Sequence, residues 1–245
     1  MRGASIKARS ARGVAALSVG TVVERGLRLI RNMILTRILA PDEFGLMAII
    51  NVVAMALEAF MEVGVKQSVI QNKQGADADY MNVAWWMQAI RGLCLYGIAI
   101  LLTPWISSFY GKPELLKLLR FAFIAVALRG FISPRAFVLE KEYKFGRVVF
   151  LTQGSAILGT VIALAAALVV RSVWALVFGF VAESFLLCVL SYVFAPFLPK
   201  FEINRKCLAE LMRFARGMFG LAILTVVARE SDILVLGRIV TETQL

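Results

Sequence analysis

Histidine is absent from this sequence of 245 residues, and cysteine occurs only at Cys94, Cys188 and Cys207. The three cysteines are too far apart for a metal-binding or redox motif, and the first two lie inside apolar runs. Zinc sites and disulfide frameworks need paired thiols or imidazoles, so neither is predicted. Glycine-rich phosphate loops and nucleophile motifs are missing as well. The sequence therefore predicts neither a cofactor nor an enzymatic activity.

Charged residues make up only 18% of the chain, whereas 60% is hydrophobic, and the mean hydropathy is +0.80. Soluble domains contain about 45–50% apolar residues, and a soluble fold of this length could not bury the excess. The net charge of +11 could indicate nucleic acid, but the basic residues lie mostly between long apolar runs instead of clustering on a polar domain. The composition therefore predicts an all-α, polytopic transmembrane bundle that binds no nucleic acid.

The apolar runs are long enough for about six complete spans and a seventh near the end, because a spanning helix needs roughly 20 mainly apolar residues. The predicted spans are 14–38, 43–65, 81–109, 114–134, 147–170, 173–196 and 209–240. We therefore predict four regions along the chain. These are a basic N-terminal segment at 1–13, a six-helix bundle at 14–196, a basic connector at 197–208, and the first helix of a second bundle at 209–245.

The distribution of basic residues predicts a cytoplasmic N-terminus. The inner segments would then carry Arg2, Lys7, Arg9, Arg12, Lys66, Lys73, Arg135, Lys141, Lys144, Arg147, Lys200, Arg205 and Lys206. The outer segments would carry only Arg37, Lys112, Lys117 and Arg171. Loops rich in lysine and arginine stay inside. Charges within the first apolar segment argue against a cleavable signal peptide, so it is interpreted as a retained span.

A short internal repeat relates the start of the chain to its end. Residues 28–44 align with residues 229–245, so that Arg28 matches Arg229 and Leu35 matches Leu236. Chance similarity over so short a stretch is the competing interpretation. Internal repeats are common in secondary transporters. The seventh helix is therefore predicted to begin a second copy of the unit, and the chain to be a fragment of something about twice as long.

Ionisable side chains inside the spans are the most informative feature, because each costs about 2.5–3.5 kcal/mol at the bilayer centre. Helical periodicity places Glu24, Arg28 and Arg31 on one face of the first span. It likewise places Glu58 and Glu62 together on the second span. Polar residues continue on the later spans with Gln88, Arg91, Arg120, Arg129, Gln153 and Glu183. The excess of arginine predicts a cationic cavity that binds phosphate or pyrophosphate through bidentate hydrogen bonds.

Structural roles are the alternative for each of these residues. Glu24 and Arg28 are spaced as an i,i+4 pair and could neutralise each other. Glu58 and Glu62 could pair with Arg25 or Arg91 as structural contacts between helices. Arg31, Arg120 and Arg129 lie nearer the span ends, where long side chains can reach the interface.

Four stretches resemble one family of membrane proteins. They are residues 35–50 (LTRILAPDEFGLMAII), 63–71 (VGVKQSVIQ), 137–159 (FVLEKEYKFGRVVFLTQGSAILG) and 212–240 (MRFARGMFGLAILTVVARESDILVLGRIV). The chain is similar to the N-terminal portion of bacterial polysaccharide or oligosaccharide flippases, within the multidrug/oligosaccharidyl-lipid/polysaccharide exporter superfamily.

The resemblance implies two six-helix bundles around a central cavity in the bacterial cytoplasmic (inner) membrane, of which the second is missing here beyond its first helix. The implied substrate is an anionic polyprenyl-pyrophosphate-linked oligosaccharide, flipped outward by alternating access for lipopolysaccharide or exopolysaccharide export, with a polysaccharide polymerase complex as a possible partner. The implied cavity cations are Arg28, Arg31, Arg91 and Arg129. Glu24, Glu58, Glu62 and Glu183 would balance charge or couple an ion. A multidrug exporter and a non-transporting scaffold of a polysaccharide assembly complex are the alternatives.

Overall fold

The computed structural model describes residues 2–62, 64–201 and 204–217, and within these ranges the backbone forms helices and turns without a β-strand. This confirms the all-α prediction for the described part of the chain. The helices are α1 (Arg2–Leu35), α2 (Pro41–Glu62), α3 (Val65–Gln71), α4 (Ala78–Phe109), α5 (Leu115–Ala122), α6 (Ile124–Gly130), α7 (Arg135–Lys141), α8 (Phe145–Val170) and α9 (Trp174–Phe194). Residues 205–217 form a further helical segment.

Among the described residues, four helical stretches are long and apolar enough to cross a membrane: Pro41–Gln71, Ala78–Phe109, Phe145–Val170 and Trp174–Phe194. Each overlaps one of the predicted spans, so the prediction of a multi-span membrane protein is confirmed. Helix α1 covers the predicted first span and is long enough, but its charged residues reduce its apolar character. The count of about six complete spans stays a prediction.

The predicted span 114–134 is two short helices, α5 and α6, that meet at Phe123. The amide of Val126 donates to the Phe123 carbonyl at 3.0 Å, which is a tighter i→i+3 turn than an α-helix makes. Phe123 itself is fully buried. The segment therefore differs from the single uninterrupted helix expected, because a buried aromatic residue is accommodated at a local tightening of the helix.

Two short helices at one end of the bundle, α3 and α7, lie almost entirely between the predicted spans. Gly64 separates α2 from α3 with φ of 83°, a left-handed conformation that favours glycine. A β-carbon at Gly64 would lie 2.7 Å from the Ala215 Cα. The turn thus lets the segment 205–217 approach the end of α2 closely.

Small residues bring the long helices into close contact. A β-carbon at Gly159 of α8 would lie 2.7 Å from the Glu183 Cβ of α9, and one at Gly179 would lie 2.4 Å from the Ala163 Cβ. Helix α1 packs on α8, where a β-carbon at Gly20 would meet the Val149 side chain at 3.0 Å. Such contacts are typical of membrane helices, which associate through close packing of small residues. They place Glu183 within reach of α1.

The seventh predicted span, 209–240, and the repeat partner 229–245 lie largely outside the described residues. The first part of that span belongs to the segment 205–217. It packs against α3 and α4, since Leu211 is fully buried in a cluster with Val65, Val69 and Tyr80. The connector that precedes it is tied to the same end, because the Lys200 amide donates to Asn82 Oδ1 at 2.7 Å.

Candidate functional site

Four ionisable residues on α1 and α9 form a group that we call the edge cluster: Glu24, Arg28, Arg31 and Glu183. The Arg28 Nη2 lies 2.7 Å from Glu24 Oε1 and 3.4 Å from Glu183 Oε1. The Arg28 side chain is 45% exposed, whereas those of Glu24 and Glu183 are 18% and 21% exposed. The guanidinium is therefore held by two carboxylates and still accessible from outside the helices.

Arg31 adds a second cation to the same end of α1. It is half-buried, and its guanidinium donates to Asn32 Oδ1 at 3.2 and 3.3 Å. Arg31 lies three residues after Arg28, which puts both on one helical face. The edge cluster thus presents two arginines against two carboxylates.

A second group, the interior cluster, consists of Glu58, Gln88, Arg129 and Ser184. Arg129 Nη1 lies 2.7 Å from Glu58 Oε2, and Arg129 Nε donates to Ser184 Oγ at 3.2 Å. Gln88 Nε2 donates to the Arg129 carbonyl at 3.0 Å. The Glu58 and Arg129 side chains are only 19% and 24% exposed. This pair joins α2 to α6 and holds both against α4 and α9.

Helix α9 connects the two clusters, because Glu183 and Ser184 are consecutive residues on it. Consecutive side chains of an α-helix point about 100° apart. Glu183 therefore reaches α1, while Ser184, fully buried, reaches Arg129 of α6. Of the predicted site residues, Glu24, Arg28, Arg31 and Glu183 lie in the edge cluster, and Glu58 and Arg129 lie in the interior cluster.

Arg91 of α4 contacts the C-terminal end of α2. Its Nη1 donates to the carbonyl of Met61 at 3.4 Å, in the last turn of α2. A cation near the final carbonyls of a helix stabilises that end. Glu62, the last residue of α2, has its side chain outside the described set. Arg91 thus holds the end of α2 in this structure.

A cavity of about 160 Å³ opens between the short helices α3 and α7 and reaches Arg129. Its polar lining residues are Lys66, Gln88, Arg129, Glu140 and Thr152. Lys66 Nζ and Glu140 Oε1 form an ion pair of 2.9 Å. Of the four predicted arginines, Arg129 lines this cavity. That a shared cavity gathers all four stays a prediction.

Sequence reasoning missed Ser184, and it placed Lys66 and Glu140 only in loops. A serine within an apolar helix gives no signal of a buried hydrogen bond. The Lys66–Glu140 pair depends on α3 and α7 being neighbours. For metals, the described part of the chain contains no group of three or more histidine, cysteine, aspartate or glutamate residues that could hold an ion.

Several apolar helices with ion pairs between them define a multi-pass helical membrane protein. Residues 34–245 match the sequence profile of a family described as polysaccharide biosynthesis protein, and the chain belongs to this family. The similarity to polysaccharide flippases that the motifs indicate is thereby confirmed.

Three known proteins have sequences similar to this chain. The chain is 25% identical over 213 residues to the succinoglycan biosynthesis transport protein ExoT of Rhizobium meliloti (strain 1021), covering 87% of this chain and 43% of the relative. It is 21% identical over 155 residues to the lipopolysaccharide biosynthesis protein WzxC of Escherichia coli (strain K12), covering 63% of this chain and 31% of the relative.

A third relative is an uncharacterized membrane protein in the cps region of Klebsiella pneumoniae. It is 24% identical over 165 residues, covering 67% of this chain and 33% of the relative. The chain thus spans less than half the length of each of these relatives. No solved structure matches.

Proposed function

We propose that this chain is the N-terminal portion of a flippase that moves a polyprenyl-pyrophosphate-linked oligosaccharide outward across the bacterial cytoplasmic membrane. Family membership and a relative named as a succinoglycan transport protein support a role in polysaccharide export. A carrier that moves its substrate without altering bonds needs no catalytic group. In this proposal the protein is not an enzyme, and its substrate is the anionic lipid-linked precursor of a surface or exopolysaccharide.

The exposure of Arg28 is the observation that carries the proposal. Its guanidinium is 45% exposed, and it lies within a helix of a membrane protein. An exposed cation is costly in lipid, so this face of α1 is expected to border water or protein. Glu24 and Glu183 hold the guanidinium in position without covering it. A pyrophosphate group offers the bidentate acceptor that an arginine binds most strongly.

The remaining predicted residues take supporting roles in this proposal. Arg31 adds a second cation beside Arg28. Arg91 and Arg129 hold neighbouring helices of the first bundle together. A carboxylate released from arginine when the substrate binds is free to accept a proton or cation. The residues proposed to balance charge or couple such an ion are Glu24, Glu58, Glu62 and Glu183.

The proposal extends to the whole protein. Residues 14–196 would form the first bundle, with a cytoplasmic N-terminus at 1–13 and a cytoplasmic connector at 197–208. Residues 209–245 would begin a second bundle that covers the exposed face of α1. The substrate cavity would lie between the two bundles, and a polymerase complex would receive the flipped precursor.

Binding of undecaprenyl pyrophosphate to the 245-residue chain in neutral-lipid nanodiscs tests the site. Arg28→Gln should weaken binding about tenfold or more, since a charge-assisted bidentate contact is lost. The affinity of Arg28→Lys should lie between those of the parent chain and Arg28→Gln, because lysine keeps the charge but not the paired donors. Arg37→Gln is the matched control, since Arg37 is exposed just beyond the end of α1.

Glu183→Gln tests the same site with the opposite expected result. It removes a carboxylate that competes with the substrate for Arg28, so binding should tighten. Unchanged binding by Arg28→Gln would overturn the site.

Preferential binding of an organic cation such as tetraphenylphosphonium would instead favour a multidrug exporter, and binding of neither ligand would favour a scaffold. In cells that make the full-length protein, Arg28→Ala should abolish polymer export while the protein stays inserted.

A further inference from the structure

A basic pocket lies at the end of the bundle where α7 passes into α8 and α9 ends. It has a volume of about 270 Å³, and its charged lining residues are Arg135, Glu142, Lys144 and Arg147. The apolar lining consists of Val138, Leu139, Phe194, Ala195 and Pro196. This pocket shares no residue with the edge or interior clusters. It is therefore a different site from the proposed transport site.

The three cations reach the pocket from three consecutive pieces of chain. Arg135 opens α7, Lys144 is the residue before α8, and Arg147 lies in the first turn of α8. Arg135 Nη1 donates to the Pro196 carbonyl at 3.2 Å, which ties it to the end of α9. Arg135 and Arg147 are exposed, so both can contact a ligand from outside the bundle.

One carboxylate in the pocket partly balances this charge. Glu142 Oε2 lies 2.5 Å from Lys144 Nζ, and the two side chains are about half exposed, at 46% and 50%. The pocket keeps an excess of positive charge. In addition, the pocket lies at the N-terminal end of α8, which carries the positive pole of the helix dipole. The local field therefore favours an anion.

Aromatic residues at this end of the bundle indicate that the pocket lies at the depth of lipid headgroups. Trp86 Nε1 donates to the Lys200 carbonyl, and Tyr143 is 57% exposed beside the pocket. Tryptophan and tyrosine are enriched where a bilayer meets water. The outer face of α8 continues from the pocket as an exposed apolar surface with Phe150, Leu158, Val161 and Ile162. Phe150 and the pocket residue Phe194 have ring centroids 6.3 Å apart.

We propose that this pocket binds the headgroup of an anionic phospholipid, with the phosphate at Arg135, Lys144 and Arg147. One acyl chain would then lie along Phe150 and the exposed face of α8. Basic pockets between transmembrane helices bind such headgroups because the attraction of each lysine or arginine adds to the burial of the lipid chain. The polar and apolar parts are continuous here, which fits a lipid better than a free anion.

Native mass spectrometry of lipid adducts on the 245-residue chain tests the proposal. Phosphatidylglycerol should bind more tightly than phosphatidylcholine of the same acyl chains. The triple variant Arg135→Gln/Lys144→Gln/Arg147→Gln should lose about tenfold or more of that preference. The control triple variant is Lys117→Gln/Arg120→Gln/Arg171→Gln, because these exposed cations lie at the opposite end of α8 and α9. It should retain the preference.

Glu142→Gln guards against a fold defect in the triple variant. It removes the competing carboxylate with almost no change in size, so phosphatidylglycerol binding should tighten several-fold. Weaker or unchanged binding by Glu142→Gln would overturn the proposal, as would equal losses in both triple variants. Excess inorganic phosphate should not displace the lipid. Complete displacement would show a soluble-anion site instead and would also overturn the proposal.

Discussion

The edge cluster and the interior cluster contain the same chemistry in different surroundings. Each centres on an arginine that lies 2.7 Å from a glutamate. The Arg28 side chain is 45% exposed, whereas the Arg129 side chain is 24% exposed and also contacts buried Ser184. An ion pair that water can reach contributes little to stability but remains available to a ligand, whereas a desolvated pair is costly to break. We therefore expect Arg129 to have a structural role and Arg28 to be the arginine that a ligand can reach.

The largest effect is expected for Arg129→Ala. This change removes the guanidinium that faces Glu58 and Ser184. Breaking a fully buried ion pair costs about 3–5 kcal/mol, which is the upper bound for this largely enclosed pair. The free energy of unfolding in mixed detergent micelles measures it. Glu58→Met/Arg129→Met should recover most of the loss, since the remaining charge is removed as well. A single variant as stable as the parent chain would contradict the structural role of this cluster.

Gly159→Val should have the next largest effect, about 1–3 kcal/mol of unfolding free energy, because overpacking forces the helices apart. A β-carbon there would lie 2.7 Å from the Glu183 Cβ. The variant should also separate Glu183 from Arg28, which would couple a packing defect to the edge cluster. Gly154→Val is the matched control on the same helix, where a β-carbon meets nothing within 4 Å. Equal losses in the two variants would contradict the close α8–α9 contact.

Arg28→Gln should change the free energy of unfolding by about 1 kcal/mol or less, as accessible ion pairs do. Together with the binding assay, this unfolding measurement compares the edge cluster directly with the interior cluster. Arg28→Gln should impair pyrophosphate binding and spare stability, whereas Arg129→Ala should impair stability first. A loss for Arg28→Gln as large as that for Arg129→Ala would remove the distinction between the clusters.

The smallest effect is expected at the Lys66–Glu140 pair, whose side chains are 35% and 29% exposed. A double-mutant cycle with Lys66→Gln and Glu140→Gln should give a coupling energy of about 0.5 kcal/mol. High salt should reduce that coupling further. A coupling above about 2 kcal/mol would place the pair with desolvated interior contacts.

Much of the fold follows from local sequence. Long apolar runs predict the spans near 43–65, 81–109, 147–170 and 173–196, and the structure confirms a helix at each. The break at Phe123 was not predictable in this way, since a tight turn in a helix leaves hydropathy unchanged. The helices α3 and α7 were missed for a related reason: each is only seven residues long, too short for its pattern to stand out from a loop.

In the candidate site, contacts within one helix were predictable from the sequence, whereas contacts between helices were not. The Glu24–Arg28 pair was predictable, because i,i+4 spacing on one helix suffices to bring the two together. Its partner Glu183 is 155 residues away from Arg28 in the chain, and Ser184 is 55 residues away from Arg129. Helical periodicity tells which residues share a face but not which helix that face meets.

The sequence by itself determined that this protein belongs in a membrane, that it is helical, and that arginines and glutamates lie inside its apolar segments. Composition and periodicity suffice for these properties because they depend on each segment alone. Only the tertiary structure decided which arginine is accessible and which is enclosed. That outcome depends on where small residues such as Gly159 and Gly179 allow helices to approach, and thus on contacts between distant parts of the chain.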